Sequence, residues 1–148
     1  MKIKARLDIK LIDKKGRVVD SRICNPTPVI TTDGFDALCA QIGTTGSQPA
    51  AFKYIAIGTG TNAPAVGDTA LQTEVARAAG TYAHTNDTKI FTLTYTWVAD
   101  HTAYQITEAG MFNAASGVTL LVRDVFTALN WTSGLSLSVT WTITLAQA

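Results

Sequence analysis

Strict alternation of apolar and polar residues dominates this chain. Ile3, Ala5, Leu7, Ile9 and Leu11 alternate with Lys2, Lys4, Arg6, Asp8 and Lys10, the period of a strand with one buried face. Asp13-Lys14-Lys15-Gly16 reads as a turn, and Arg17 to Ile23 returns as the second strand of a hairpin. Cys24-Asn25-Pro26-Thr27-Pro28 ends that pairing, because neither proline can donate to a ladder. The period then changes. Thr31-Thr32-Asp33-Gly34 carries the Thr and Asp that cap free N–H groups at a helix start. Phe35, Leu38, Cys39 and Ile42 follow at i, i+3, i+4 and i+7. This predicts a short helix near residues 33–42 with that stripe on the core, Cys39 as core filler and Gly43 as its stop.

The stretch Phe52-Lys53-Tyr54-Ile55-Ala56-Ile57-Gly58-Thr59-Gly60-Thr61 reads as a central strand. Apolar residues fall on both of its faces, and two glycines end it. Residues 59–68 form an ordered loop, 71–77 a short helical turn or an extended arm, and 78–84 a strand. Phe91, Leu93, Tyr95 and Trp97 alternate with threonines in the next strand. Tyr104 to Phe112 is a further strand, with Gly110 marking a bulge, and Val118 to Phe126 another. The last strand is the most regular: Leu135, Leu137, Val139, Trp141, Ile143 and Leu145 oppose Ser136, Ser138, Thr140, Thr142 and Thr144. About eight strands and one early helix predict an all-β fold, an antiparallel β-sandwich of jelly-roll-like type. Residues 1–148 read as one domain, with 1–23 as a basic N-terminal hairpin within it.

Composition sharpens this. Hydrophobic residues make up 47% and charged residues 16%, below the usual ~25% charged. Such a surface is expected to be covered by a partner or by copies of the chain. No apolar run approaches the ~18 residues of a membrane span, and no apolar segment follows the N-terminal charges as in a signal peptide. Cys24 and Cys39 form no CxxC and read as reduced thiols of a protein assembled in a cytosol.

The charge is unevenly placed. Eight of twelve Lys and Arg lie in the first 22 residues, against three acids. That segment therefore has an excess of five positive charges and the remainder four negative, for the net +1. Lys2, Lys4, Arg6, Lys10 and Lys14 are the candidates for docking on an acidic surface; the alternative is an edge guarded by lysines. No aromatic residue interleaves them, so a nucleic-acid platform is not expected.

Candidate chemistry is sparse. Gly58-Thr59-Gly60-Thr61-Asn62-Ala63 matches GxGxx[GA] after a strand, but Pro64 and Gly67 follow where a dinucleotide site needs a helix. A tight turn at a close backbone approach is expected instead. His84 and His101 have no second ligand at metal spacing, and no nucleophile elbow is present. Glu108 reads as an outer-face side chain or a structural cap. Arg123 and Asp124 are neighbours and point to opposite faces of their strand. No catalytic, cofactor or metal site is expected, and no enzymatic activity. Trp131, in the polar run Leu129 to Gly134, could stack on a sugar or pack against the sandwich end.

Several stretches resemble small structural proteins of tailed bacteriophages. These are residues 54–64 (YIAIGTGTNAP), 67–71 (GDTAL), 74–77 (EVAR), 106–114 (ITEAGMFNA) and 135–145 (LSLSVTWTITL). The resemblance spans about residues 31–145 and implies a virion component assembled in the host cytoplasm. It implies a capsid cement or decoration protein bridging subunits of the head, or else a tail, neck or fibre-base protein. A carbohydrate-binding module is a third class. The implied partners are the major capsid protein and copies of the chain itself, as a dimer or trimer, with no small-molecule substrate and no membrane.

Overall fold

The computed structural model describes residues 2–98 and 102–147. The strands are β1 (Lys2–Ile12), β2 (Val18–Cys24), β3 (Val29–Ile30), β4 (Tyr54–Gly58), β5 (Glu74–Ala79), β6 (Thr81–His84), β7 (Ile90–Trp97), β8 (Tyr104–Phe112), β9 (Leu120–Trp131) and β10 (Ser136–Ala146). One helix, α1 (Thr32–Gly43), lies between β3 and β4. Two five-stranded antiparallel sheets result, β2-β1-β10-β7-β6 and β3-β9-β8-β4-β5. This is the predicted β-sandwich, with more strands than the pattern showed. β3 is only two residues long, and the segment 74–84 divides into β5 and β6, which edge opposite sheets.

The alternation seen in the sequence becomes the division between core and surface. Along β1, Leu7 and Ile9 are fully buried and Lys2, Lys4 and Lys10 exposed. β1 pairs in unbroken register with β10, Lys2 opposite Ala146 through Ile12 opposite Ser136. Leu137, Val139, Trp141 and Ile143 thereby join the same core, which also receives Ile55, Ile57, Ile106 and Met111 of the second sheet. A smaller cluster of Ala56, Leu71, Phe112 and Leu120 lies on the opposite face of that second sheet. The loop after β4, which supplies Leu71, covers it, so β4 is buried on both faces as predicted.

The helix departs from its prediction. Thr31 does cap it, its hydroxyl accepting from the Gly34 N–H at 2.9 Å. The buried residues of α1, however, are Gly34 and Ala37, while Phe35, Cys39 and Ile42 are exposed. The reason is steric. A Cβ on Gly34 would come within 2.9 Å of the Leu121 backbone. Such a close approach sets the small side of the helix against the sheet; of the predicted stripe only Leu38 still packs on the core, while Phe35, Cys39 and Ile42 face outward, so Cys39 is not core filler. At Gly110 the expected bulge has a different cause. The register shifts one step later, between Met111 and Phe112, and Gly110 makes room for Leu71 and Leu120, whose methyl carbons lie 2.9 Å from where its Cβ would be.

Candidate docking face

The GTG turn is a structural lock. Gly58 and Gly60 bring the chain against Glu108, whose Oε1 would lie 2.5 and 2.6 Å from a Cβ at either position. Glu108 is fully buried and accepts the N–H groups of Gly60 at 2.9 Å, Thr73 at 2.8 Å and Gln72 at 3.0 Å. Arg123 closes the group, its Nε donating to Glu108 Oε2 at 3.0 Å. The Arg123 guanidinium also donates to Asp68 Oδ2 at 2.9 Å and to the Asn62 carbonyl at 3.0 Å. The backbone N–H groups of Thr59, Gly60, Thr61 and Asn62 are all engaged, by the Thr73 carbonyl, Glu108 and the Gln72 side chain, so the turn offers no backbone cradle for a dinucleotide. Glu108 is the structural cap of its alternative reading, and it caps a loop. Asp124 points away from this network, accepting from the Thr27 hydroxyl at 2.7 Å, as the opposite-face expectation requires.

The stretches of the resemblance converge here. IAIGTGT supplies Gly58 and Gly60, GDTAL supplies Asp68, and EAGMFN supplies Glu108. Arg77 of EVAR lies beside them, with its guanidinium 3.6 Å over the Phe112 ring and donating to the Ala114 and Gly117 carbonyls, each at 3.0 Å. These motifs hold the second sheet to its loops.

The surface chemistry lies on the other sheet. Cross-strand partners share a face, so the register sets out the outer side of β1, β10 and β7 row by row. Lys10, Ser138 and Thr96 form one row, Asp8, Thr140 and Thr94 the next, and Arg6, Thr142 and Thr92 a third. Lys4 stands beside Thr144. Thr94 and Thr140 hydroxyls lie 3.2 Å apart, as do those of Thr96 and Ser138. The result is a hydroxyl-covered surface on β10 and β7 beside a largely cationic column on β1, which is interrupted by Asp8 and flanked on its other side by β2, where Ile23 opposite Asp8 is exposed. Lys2, Lys4, Arg6 and Lys10 all lie in that column, and Lys14 follows in the turn after β1.

The cations divide by residue type. All five arginines, Arg6, Arg17, Arg22, Arg77 and Arg123, form intramolecular ion pairs. Among the described residues no lysine does. Arg6 is clamped to Asp8 by two bonds of 2.9 and 3.0 Å. Arg17 holds Asp13 at 2.8 Å, and the Arg17 backbone N–H chiefly keeps that carboxyl below its usual range. Arg22 reaches across the sandwich to the Thr127 and Ala128 carbonyls at 2.9 and 2.8 Å. It stitches β2 to a part of β9 beyond the reach of β3. Arg6 is therefore neutralised within the face, whereas Lys2, Lys4, Lys10 and Lys14 form no ion pair within the described residues.

The remaining candidates are accounted for by packing. Trp131 ends β9 and is not in a loop; the strand runs on from Phe126, with its register shifting opposite Ile106 to Glu108. Its ring is 2% exposed, faces Tyr104 at 6.4 Å and donates from Nε1 to the Leu135 carbonyl at 2.8 Å. That leaves no free ring face for a sugar. His84 is exposed, with Nδ1 2.7 Å from the Ile90 carbonyl; His101 lies outside the described residues. Among those residues no group of three His, Cys, Asp or Glu could hold a metal, and no helix is long and apolar enough to cross a membrane. Burial, reinforced by Asp124, pushes the Cys24 thiol up to about 12. No family model, curated protein or solved structure matches the chain.

Proposed function

We propose that this chain is a structural protein of a tailed-bacteriophage virion, a cement or decoration protein that docks on the outside of the head and bridges capsid subunits. One observation carries the reading: the lysines of β1 form no ion pair among the described residues and stand beside the serine and threonine hydroxyls of β10 and β7, while every arginine is ion-paired within the chain. A rigid strand spaces Lys2, Lys4 and Lys10 at fixed intervals, so their side chains meet an acidic surface together. Each exposed pair contributes only about 0–1 kcal/mol. Several acting at once, with the serine and threonine hydroxyls hydrogen-bonding between them, give specificity and fast association. The motifs that resemble phage structural proteins support the virion assignment, and the interior they build is held by packed side chains and engaged charges.

The test is direct. Purified protein is mixed with undecorated capsids and sedimented at low and high salt. Binding at low salt that weakens as salt screens the lysines is the expected result. No binding at low salt overturns the cement reading. Binding to purified tails alone would move the same face to a tail, neck or fibre-base role.

A further inference from the structure

Five large apolar side chains remain exposed around one end of the sandwich: Phe35 at 42%, Ile42 at 77%, Val66 at 63%, Tyr82 at 60% and Leu145 at 39%. They are neighbours by construction. Phe35, Cys39 and Ile42 share the outward side of α1, and the Val66 carbonyl accepts from Thr32 N–H at the start of that helix, at 2.8 Å. Leu38 and Gln41 of α1 form one wall of a cavity of about 590 Å³, at whose mouth Tyr82 and Leu145 lie. Its depth is apolar, reaching Phe52, Leu121 and Ile143. Ile42 directly follows Gln41, so an exposed apolar knob sits beside an apolar hole on the same end of the molecule. A patch of this kind marks an interaction site.

The cavity is poorly equipped for a small ligand. The Gln41 side chain donates to the Pro49 and Ala50 carbonyls, and the Gln48 side chain to the Gln41 and Thr44 carbonyls. These amide donors are used to strap the loop after α1, which leaves few groups to orient a small molecule. The apolar area also continues past the cavity onto the helix. The charges identify what covers it. Asp33 and Asp36 on α1 and Lys53 in the cavity wall are exposed and form no ion pair among the described residues; the Lys53 Nζ lies 5.7 Å from the centre of the Tyr54 ring of its own chain. A second copy related by a two-fold axis brings its own acids to this lysine and its own lysine to these acids. That is the self-complementarity an isologous contact requires.

We infer that this end of the sandwich is a contact between copies of the chain, in which Phe35 and Ile42 of each copy enter the cavity of the other. This names the copy-to-copy surface of the function proposed above, at the end of the sandwich where β1 begins beside the last residues of β10, opposite the turn that holds Lys14. It is tested on the isolated full-length chain, so loss of capsid binding and loss of self-contact are read separately.

The experiment is sedimentation equilibrium across micromolar concentrations under reducing conditions, with a thermal melt of each variant to show that it folds. The natural chain associates reversibly. Phe35→Asp and Ile42→Asp each raise the dissociation constant at least roughly tenfold, as loss of a central apolar anchor does, whereas Val18→Asp, an exposed β2 residue paired with Ile12 at the opposite end of the sandwich, leaves it unchanged. Asp36→Lys weakens association, and adding Lys53→Asp to it restores part of the loss. A natural chain that stays monomeric throughout, or an association that survives both apolar variants, overturns the inference.

Discussion

Glu108 and Arg123 face each other across neighbouring strands of the second sheet, 2.9 Å apart, with side-chain exposures of 0% and 3%. The pair is completed by the N–H groups of Gly60, Gln72 and Thr73, the Asn62 carbonyl and Asp68. A buried pair adds little over a well-packed apolar one, but removing one partner strands the other. Arg123→Ala is therefore expected to cost about 3–5 kcal/mol in chemical denaturation, and Glu108→Ala a similar amount. A loss below about 1 kcal/mol for both would show that the group does not bear on the fold.

The glycines of the GTG turn give a paired comparison. Gly58→Ala drives a methyl into the Thr73 carbonyl and Glu108, and Gly60→Ala into Gln72 and Glu108. Each is expected to destabilise by roughly 1–3 kcal/mol or more, the cost of overpacking. Gly46 and Gly67 have open space where a Cβ would stand. Alanine there is expected to be neutral or slightly stabilising, through the reduced freedom of the unfolded chain. Equal effects at all four positions in denaturant titrations would contradict the close-approach account.

Arginines and lysines separate in a second comparison. Arg22→Ala frees two β9 carbonyls and is expected to cost about 1–2 kcal/mol of stability. Lys2→Gln, Lys4→Gln and Lys10→Gln together are expected to leave the melting temperature nearly unchanged. They weaken capsid binding and flatten its salt dependence. Melting and binding are measured on the same preparations, and lysine variants that unfold the protein would place these residues in the scaffold.

Cys24 and Cys39 differ in the same chain. The exposed Cys39 thiol reacts with a thiol reagent in the native protein; the buried Cys24 reacts only after unfolding. The Cys24 thiol ionises near 9.0 in its ordinary state and about 12 in the fold. Between those values the unfolded chain has released a proton that the native chain retains, so stability falls as pH rises through that window and is untouched below it. Cys24→Ala removes this contribution, and its denaturation midpoint should decline less steeply with pH over the same range than that of the natural chain. Identical slopes would contradict the burial of the thiol.

Alternation made β1, β7 and β10 legible in the sequence, because each has one face in the core and one in solvent, so a period of two survives. The two-sided burial of β4 was legible for the complementary reason: apolar residues on both faces need cover on both. What the sequence hid were contacts between distant residues. The inward side of α1 is set by how closely Gly34 approaches Leu121, and a helical stripe does not report that distance. The cap at Glu108 depends on Arg123, Gly60, Gln72 and Thr73 meeting in space, and no spacing along the chain predicts it. Trp131 appeared to lie in a polar loop because Asn130, Thr132 and Ser133 surround it, yet the β9 strand carries its ring inward against Tyr104. The candidate docking residues stand out as a charge run, but the separation of ion-paired arginines from lysines without an ion pair needed the structure.

The central claim, that this chain adheres to a capsid through the outer side of the β1–β10 sheet, is tested most directly by a cryo-EM map of the intact virion. The account predicts sandwich-shaped density on the outside of the head, with Lys2, Lys4 and Lys10 turned toward the shell. Density confined to the tail, or seated on the head with that lysine column facing solvent, would contradict it.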